Sequence, residues 1–223
     1  MSNDVKMLIG IGVLTVVIVI AAAFTIGNKP GPVDQQQQPQ RVLSASEENV
    51  LVRKDMHITG NSKAKVMVVE FGDYECPACG VAEPIVKKIL NEFKGKVAFA
   101  FRQFPLSIHK NGYNAALAAE TAGAQGKFWE MHQTLYENQK DWVDLDNPLS
   151  VYAKYASSIG INVDQFKKDY QAKTYDVRVK TDLNDGNSLG IDSTPTFFVN
   201  GAETPGIIAY DDFKKLINTD LKK

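Results

Sequence analysis

The chain contains two cysteines, Cys76 and Cys79, which lie three positions apart in the stretch FGDYECPACGVAEP. Such a pair can bind a metal, form a structural disulfide, or serve as a reactive dithiol that exchanges disulfides with other proteins. At positions i and i+3 of a helix start, the two Cα atoms are about 5 to 6 Å apart, which is within disulfide range. The pair can therefore open and close a disulfide bond.

Pro77 indicates where the helix that carries the pair begins. Proline suits the first helical position, because its missing N–H would be unsatisfied there in any case. Cys76 then lies at or next to the N-cap, where backbone N–H groups and the helix dipole stabilise a thiolate. The pKa of Cys76 should therefore lie below about 8.5, the value of a free cysteine. Cys76 is the predicted nucleophile, and Cys79, one turn inside the helix, is the predicted resolving thiol.

The residues leave two other interpretations of the pair open. A structural zinc site generally has four ligands, but there is no third cysteine, and the three histidines show no close paired spacing. A structural disulfide would close a tiny loop, for which the loop-entropy model predicts little stabilisation. We therefore expect no metal and favour the reactive dithiol. Two of the histidines, His109 and His132, are predicted to be surface or capping residues.

The segments around the pair predict an α/β fold. Residues 65–71 form a β-branched, apolar run typical of a buried strand, and residues 97–104 alternate as a second strand. Residues 76–93, between them, have the spacing of an amphipathic helix. A strand, a helix and a strand with short connections predict a right-handed βαβ unit in a parallel sheet. The predicted apolar face of the helix consists of Val81, Ile85, Ile89, Leu90 and Phe93.

The remainder of the domain is predicted to be helical first and then to return to the sheet. Residues 106–189 contain several helical segments separated by glycine, proline and asparagine, which predicts an all-helical insertion. The sequence TPTFFVNG then predicts a strand and an Asn-Gly turn, and IIA, at 207–209, a partner strand. The last fourteen residues predict a closing amphipathic helix.

The amino-terminal residues predict a membrane anchor and a tether. Residues 7–26 carry no charge, and about 20 apolar residues in a helix cross a hydrocarbon core about 30 Å thick. A cleaved signal peptide is the alternative, because three consecutive alanines supply small residues. The predicted segments are a short cytoplasmic tail (1–6), a transmembrane anchor (7–27), a flexible linker rich in proline and glutamine (28–46) and the folded domain (47–223).

Composition indicates one ordinary globular domain. The 223 residues are 44% hydrophobic and 23% charged, which suffices for one sizeable core. The net charge of -1 offers no excess of positive charge for nucleic acid. Two cysteines do not make a disulfide-rich scaffold. A covalent dimer would consume both thiols, so we expect a monomer.

Four sequence blocks, in this order, resemble the thioredoxin superfamily and, within it, the membrane-anchored bacterial DsbA-like thiol-disulfide oxidoreductases. The resemblance spans most of residues 56–216. It implies a thioredoxin fold with a helical insertion, and no cofactor other than a redox-active disulfide between Cys76 and Cys79. The blocks are VVEFGDYECPACG (68–80), FRQFPL (101–106), AGAQGKFWEMHQTLYENQ (122–139) and GIDSTPTFFVNG (190–201).

The resemblance also implies roles for residues outside the pair. Pro195 would be a cis-proline beside the dithiol, although an X-Pro bond is cis in only about 5 to 6% of folded cases. The backbone of Thr194 would then bind an extended substrate. Glu70 matches the buried acid that this family has beneath the motif, where it would modulate thiol titration or proton transfer. A glutamate at the end of a sheet is an equally good interpretation of Glu70.

Pro77 and Ala78, between the cysteines, would tune the thiolate. Strong DsbA-type oxidants commonly carry histidine where this chain has Ala78, so its oxidising power should be moderate. The resemblance implies an extracytoplasmic dithiol oxidase acting on exported proteins, since disulfides persist outside the cytosol. A membrane partner of the DsbB or VKOR type would reoxidise it. A reductase or isomerase of the same fold is one alternative, and a redox-inert chaperone or binding module is another.

Overall fold

A computed structural model describes residues 41–223, in which a five-stranded sheet is packed between helices. The predicted anchor at residues 7–27 and most of the predicted linker lie outside the described residues. No helix within 41–223 is long and apolar enough to cross a membrane. The elements are α1 (Ala45–Leu51), β1 (His57–Gly60), β2 (Val66–Gly72), α2 (Pro77–Glu92), β3 (Val97–Gln103), α3 (Gly112–Gly123), α4 (Phe128–Glu137), a single 3₁₀ turn (Gln139–Asp141), α5 (Leu149–Ser158), α6 (Val163–Gln171), α7 (Asp176–Ser188), β4 (Thr196–Val199), β5 (Ala202–Pro205) and α8 (Tyr210–Lys222).

The strands lie in the order β1-β3-β2-β4-β5. β2 and β3 are parallel and are joined through α2, which confirms the predicted βαβ unit, whereas the other three pairings are antiparallel. The predicted partner strand at 207–209 is wrong: Asn200 and Gly201 adopt positive φ in a tight turn, so pairing begins directly at Ala202. The edge strand β1 was not predicted.

Alternation along the strands divides the core between the two faces of the sheet. On one face, Val68 and Phe99 pack in a cluster with residues of α2, α8 and the helices between β3 and β4. On the other face, Val69 and Phe198 pack in a second cluster with α1 residues. Glu70 has the same parity as Val68 along β2, and therefore faces α2.

The predicted apolar face of α2 is confirmed at Ile89 and Phe93, with Ile85 and Leu90 half-buried against the core, and it is wrong at Val81. Cys79, Ala82, Val86 and Ile89 are buried, whereas Val81 is 55% exposed. The stripe of α2 that packs on the core runs through positions 79, 82, 86 and 89, so position 81 lies outside it. The same stripe brings Cys79 into the core.

The folded unit begins before the predicted boundary at residue 47. Val42 forms a bridge with Ala202, and Leu43 is 5% exposed in the second core cluster. Ser44 caps α1, with Glu47 completing a capping box. The last residues of the predicted linker are therefore packed on the sheet, because the apolar side chain of Leu43 is buried in the second core cluster.

Candidate active site

The dithiol lies at the start of α2, as the position of Pro77 predicts. Cys76 is the N-cap residue, with extended backbone angles (φ -65°, ψ 121°), and Pro77 occupies the first helical turn. Both thiols are free. Cys76 is 7% exposed and Cys79 is fully buried. An incoming sulfur can therefore reach Cys76, while Cys79 stays behind it.

The surroundings shift the pKa values of the two thiols in opposite directions. A hydrogen bond from the Cys79 thiol lowers the pKa of Cys76 to about 5 despite partial burial, and the backbone N–H groups of Cys79 and Ala78 add to this effect. Burial and the hydrogen bond to Cys76 raise the pKa of Cys79. At neutral pH the pair therefore contains one thiolate and one thiol.

The Thr194–Pro195 peptide bond is cis, as the resemblance implies. In the thiol form, Cys76 Sγ donates a hydrogen bond to the carbonyl oxygen of Thr194 at 3.3 Å. The Pro195 carbonyl accepts the N–H of Gly206 at 2.7 Å, which holds the proline loop against the chain after β5. The fold thus brings together residues that are 118 positions apart in sequence.

Glu70 is a buried acid beneath the dithiol and does not lie at an end of the sheet. It is 2% exposed, and in β2 it is paired with Phe101 on one side and Phe197 on the other. Burial raises the pKa of the Glu70 carboxyl well above its usual range, and negative charge on Glu83 and Cys76 raises it further. A protonated carboxyl on the face toward α2 has the chemistry needed to exchange protons with a thiol.

A buried histidine near the site was missed by the sequence analysis. His132 is 3% exposed, so its predicted surface or capping position is wrong. Its Nδ1 lies 3.1 Å from the Tyr74 hydroxyl, and its Nε2 lies 3.3 Å from Oε2 of Glu83. Aromatic rings of Phe128 and Tyr136 pack around it. The sequence did indicate that His132 is buried, because Phe128 and Tyr136 each lie four positions from it and therefore on the same face of a helix.

Two acids beside the dithiol bind the loop that follows β3. The Asp73 carboxylate accepts the N–H of Leu106 at 2.8 Å. It also lies 2.6 Å from Nδ1 of His109, so the His109 side chain is paired with Asp73. The Glu75 carboxylate accepts the N–H of Asn111, the N-cap residue of α3. These contacts join the loop before Cys76 to the start of the helical insertion.

Metal ligation has no support in the part of the chain that the structure describes. No group of three or more histidine, cysteine, aspartate or glutamate side chains within residues 41–223 could hold a metal ion.

The βαβ sheet, the helix that begins at the dithiol and the cis-proline beside it define the class of thioredoxin-like proteins. A protein-family profile described as thioredoxin matches residues 52–219. The probable disulfide bond formation protein D of Bacillus cereus is 34% identical over 174 residues, which are 74% of this chain and 78% of that protein. The chain belongs to the DsbA-like thiol-disulfide oxidoreductases of the thioredoxin superfamily.

Two further comparisons are informative. The crystal structure of oxidised BdbD from Bacillus subtilis superposes with a TM-score of 0.70 at 29% identity, covering 82% of this chain and 98% of BdbD. The Na(+)/H(+) antiporter NhaA 1 of Mycobacterium sp. (strain KMS) is 39% identical over 155 residues, which are 67% of this chain. These residues are 24% of the antiporter, so the chain matches about a quarter of that protein's length.

Proposed function

We propose that the protein is an extracytoplasmic dithiol oxidase that introduces disulfides into exported proteins. The observation that carries the proposal is the asymmetry of the pair. Cys76 has a pKa of about 5 and is partly accessible, whereas Cys79 is fully buried and has a raised pKa. A stabilised Cys76 thiolate is a good leaving group, which favours release of an oxidised client.

The reaction follows from this asymmetry. A client thiolate attacks Cys76 Sγ in the Cys76–Cys79 disulfide, a client–Cys76 disulfide forms, and Cys79 leaves and takes up a proton. A second client thiolate then attacks the client sulfur and expels Cys76 as the thiolate. The client loses two electrons as its disulfide forms, and the protein gains them as a dithiol. In the opposite direction, Cys76 attacks a client disulfide and Cys79 resolves the adduct.

The cis-proline loop supplies the place where a client would bind. The Thr194 carbonyl lies 3.3 Å from Cys76 Sγ, so an extended client segment that hydrogen-bonds to the Thr194 backbone would lie beside the sulfur. Main-chain hydrogen bonds to an extended segment do not depend on its sequence. This suits an enzyme that acts on many exported proteins.

The direction of electron flow is tested by the reduction potential of the purified full chain in glutathione buffers. A nucleophile pKa of about 5 lies between about 7 for thioredoxin and about 3.5 for DsbA. We therefore expect a potential between about -270 mV and about -120 mV, the values of those two proteins. Ala78→His is the matched comparison and should raise the potential, because a cationic partner stabilises the thiolate. A wild-type value at or below about -270 mV would instead favour the reductase or isomerase alternative.

The location of the domain is also part of the proposal. An anchor at residues 7–27, with the amino terminus inside, would tether residues 47–223 outside the cytosol, where disulfides persist. There a quinone-linked membrane partner of the DsbB or VKOR type would accept the two electrons. Cell fractionation checks the anchor: the full chain should stay in the membrane pellet after alkaline carbonate washing, and release into the soluble fraction would contradict it.

A further inference from the structure

Three side chains from α4 and the turn after it contact the loop that leads into the dithiol. They are His132, Tyr136 and Gln139, and spacings of four and three positions place them on one side of the helix. His132 contacts the Tyr74 hydroxyl, and the Tyr136 hydroxyl donates to the Asp73 carbonyl at 3.4 Å. Gln139 lies nearest to the nucleophile.

Gln139 donates both of its amide hydrogens to backbone carbonyls of this loop. Its Nε2 lies 2.7 Å from the carbonyl oxygen of Tyr74 and 3.0 Å from that of Cys76. The Cys76 carbonyl also accepts the N–H of Gly80 at 3.1 Å, which is the first backbone hydrogen bond of α2. Gln139 therefore binds the carbonyl at which the helix begins.

The surrounding residues leave room for this amide and hold it there. A Cβ at position 80 would lie 3.1 Å from Gln139 Oε1, so Gly80 leaves space for the side chain. The Asn138 side chain bonds back to α4 at 2.9 Å. Trp142 is fully buried, and its indole N–H donates to the Leu135 carbonyl at 3.1 Å. The 3₁₀ turn that carries Gln139 is thus fixed on both sides.

We propose that Gln139 is a positioning residue of the dithiol, which fixes the Cys76 carbonyl and thereby directs the Cys76 sulfur toward the free N–H groups at the start of α2. The inference rests on the proposed function only in taking Cys76 as the nucleophile. An N-cap side chain faces those donors only in a narrow range of backbone angles. Without the amide, the Tyr74 carbonyl loses its bond from Gln139, and the Cys76 carbonyl keeps only the N–H of Gly80 as a donor.

The test is the pH profile of Cys76 alkylation by iodoacetamide in the reduced full chain, with the modified cysteine identified by mass spectrometry. Gln139→Met keeps the length of the side chain and removes both donors. Its midpoint should rise by about one pH unit from the wild-type value near 5, so that the rate at pH 5 falls about fivefold. Gln139→Glu should raise the midpoint further, because a carboxylate would face two carbonyls and the thiolate.

Gln133→Met is the matched control, since Gln133 lies on α4, the helix before the turn that carries Gln139, and its amide bonds to Glu137 at 2.6 Å on the surface. Its midpoint should equal that of the wild type. Gly80→Ala keeps Gln139 but requires its amide to move by a few tenths of an ångström, so the midpoint should shift in the same direction as in Gln139→Met but by less. An unchanged midpoint in Gln139→Met, or in Gln139→Glu if Gln139→Met does not fold, overturns the inference. A wild-type midpoint near 8.5 contradicts the activated thiolate of the proposed function instead.

Discussion

Cys79→Ser should accumulate mixed disulfides between Cys76 and exported proteins, whereas Cys76→Ser should form none. Cys76 is the thiol that an incoming sulfur can reach, and its low pKa keeps it nucleophilic at neutral pH. Cys79 is fully buried one turn further along α2, so it can act on an adduct but does not start one. Without Cys79 the adduct has no resolving thiol within the protein.

The measurement is non-reducing electrophoresis of acid-quenched cells that express each variant, followed by identification of the captured partners. Ala78→Ser is a control that leaves both cysteines in place, and it should show only the low adduct level of the wild type. If Cys79→Ser captures nothing, a redox-inert binding module becomes the better interpretation. If Cys76→Ser captures as many partners as Cys79→Ser, the assignment of the nucleophile is wrong.

Arg102→Met should cause the largest loss of stability among the changes considered. Arg102 is fully buried, and its guanidinium donates to Oδ1 of Asp182 at 2.7 Å and also to Asp185. It donates further to the carbonyls of Val50 and Leu51 at the end of α1. Removing the cation leaves the buried Asp182 carboxylate with Arg53, at 3.2 Å, as its remaining cation, and it leaves the two helix carbonyls without this donor. We expect a loss of about 3 kcal/mol in the free energy of unfolding, measured by urea titration.

Lys180→Met is the matched control for Arg102→Met, because it removes an exposed ion pair from α7, the helix that carries Asp182 and Asp185. Lys180 lies 2.5 Å from Asp176, and its side chain is 63% exposed, so solvent screens the pair and the urea midpoint should hardly change. Alkylation of Cys76 should be unaffected in both variants while they are folded, since the Arg102 cluster lies on the face of the sheet away from α2. Equal stability of the two variants would show that the buried cluster contributes little.

The sequence predicted the parts of the site that depend on neighbours along the chain. Pro77 places Cys76 at the start of a helix, and the structure has that helix with Cys76 as its N-cap. The parallel βαβ unit followed from alternating apolar runs with short connections. The cis bond before Pro195 followed from the resemblance, because an isolated Thr-Pro dipeptide favours trans.

The parts that were missed depend on contacts between distant residues. His132 was assigned to the surface, yet it is buried against Tyr74, which lies 58 positions away. The strand expected at 207–209 was displaced to Ala202–Pro205, because the turn before it is only two residues long. Val81 was assigned to the buried face of α2, whereas the face that packs on the core runs through Cys79 and Val86.

By itself the sequence determined the chemistry: a dithiol at a helix start, within a thioredoxin-like order of elements. Only the tertiary structure decided what surrounds the dithiol, including the Thr194 carbonyl 3.3 Å from Cys76 and the Gln139 amide on the Cys76 backbone. The physical reason is that helix starts and strand alternation are set by steric and hydrogen-bonding preferences within a few residues. Bonds between residues 63 and 118 positions apart depend instead on how the helices pack on the sheet.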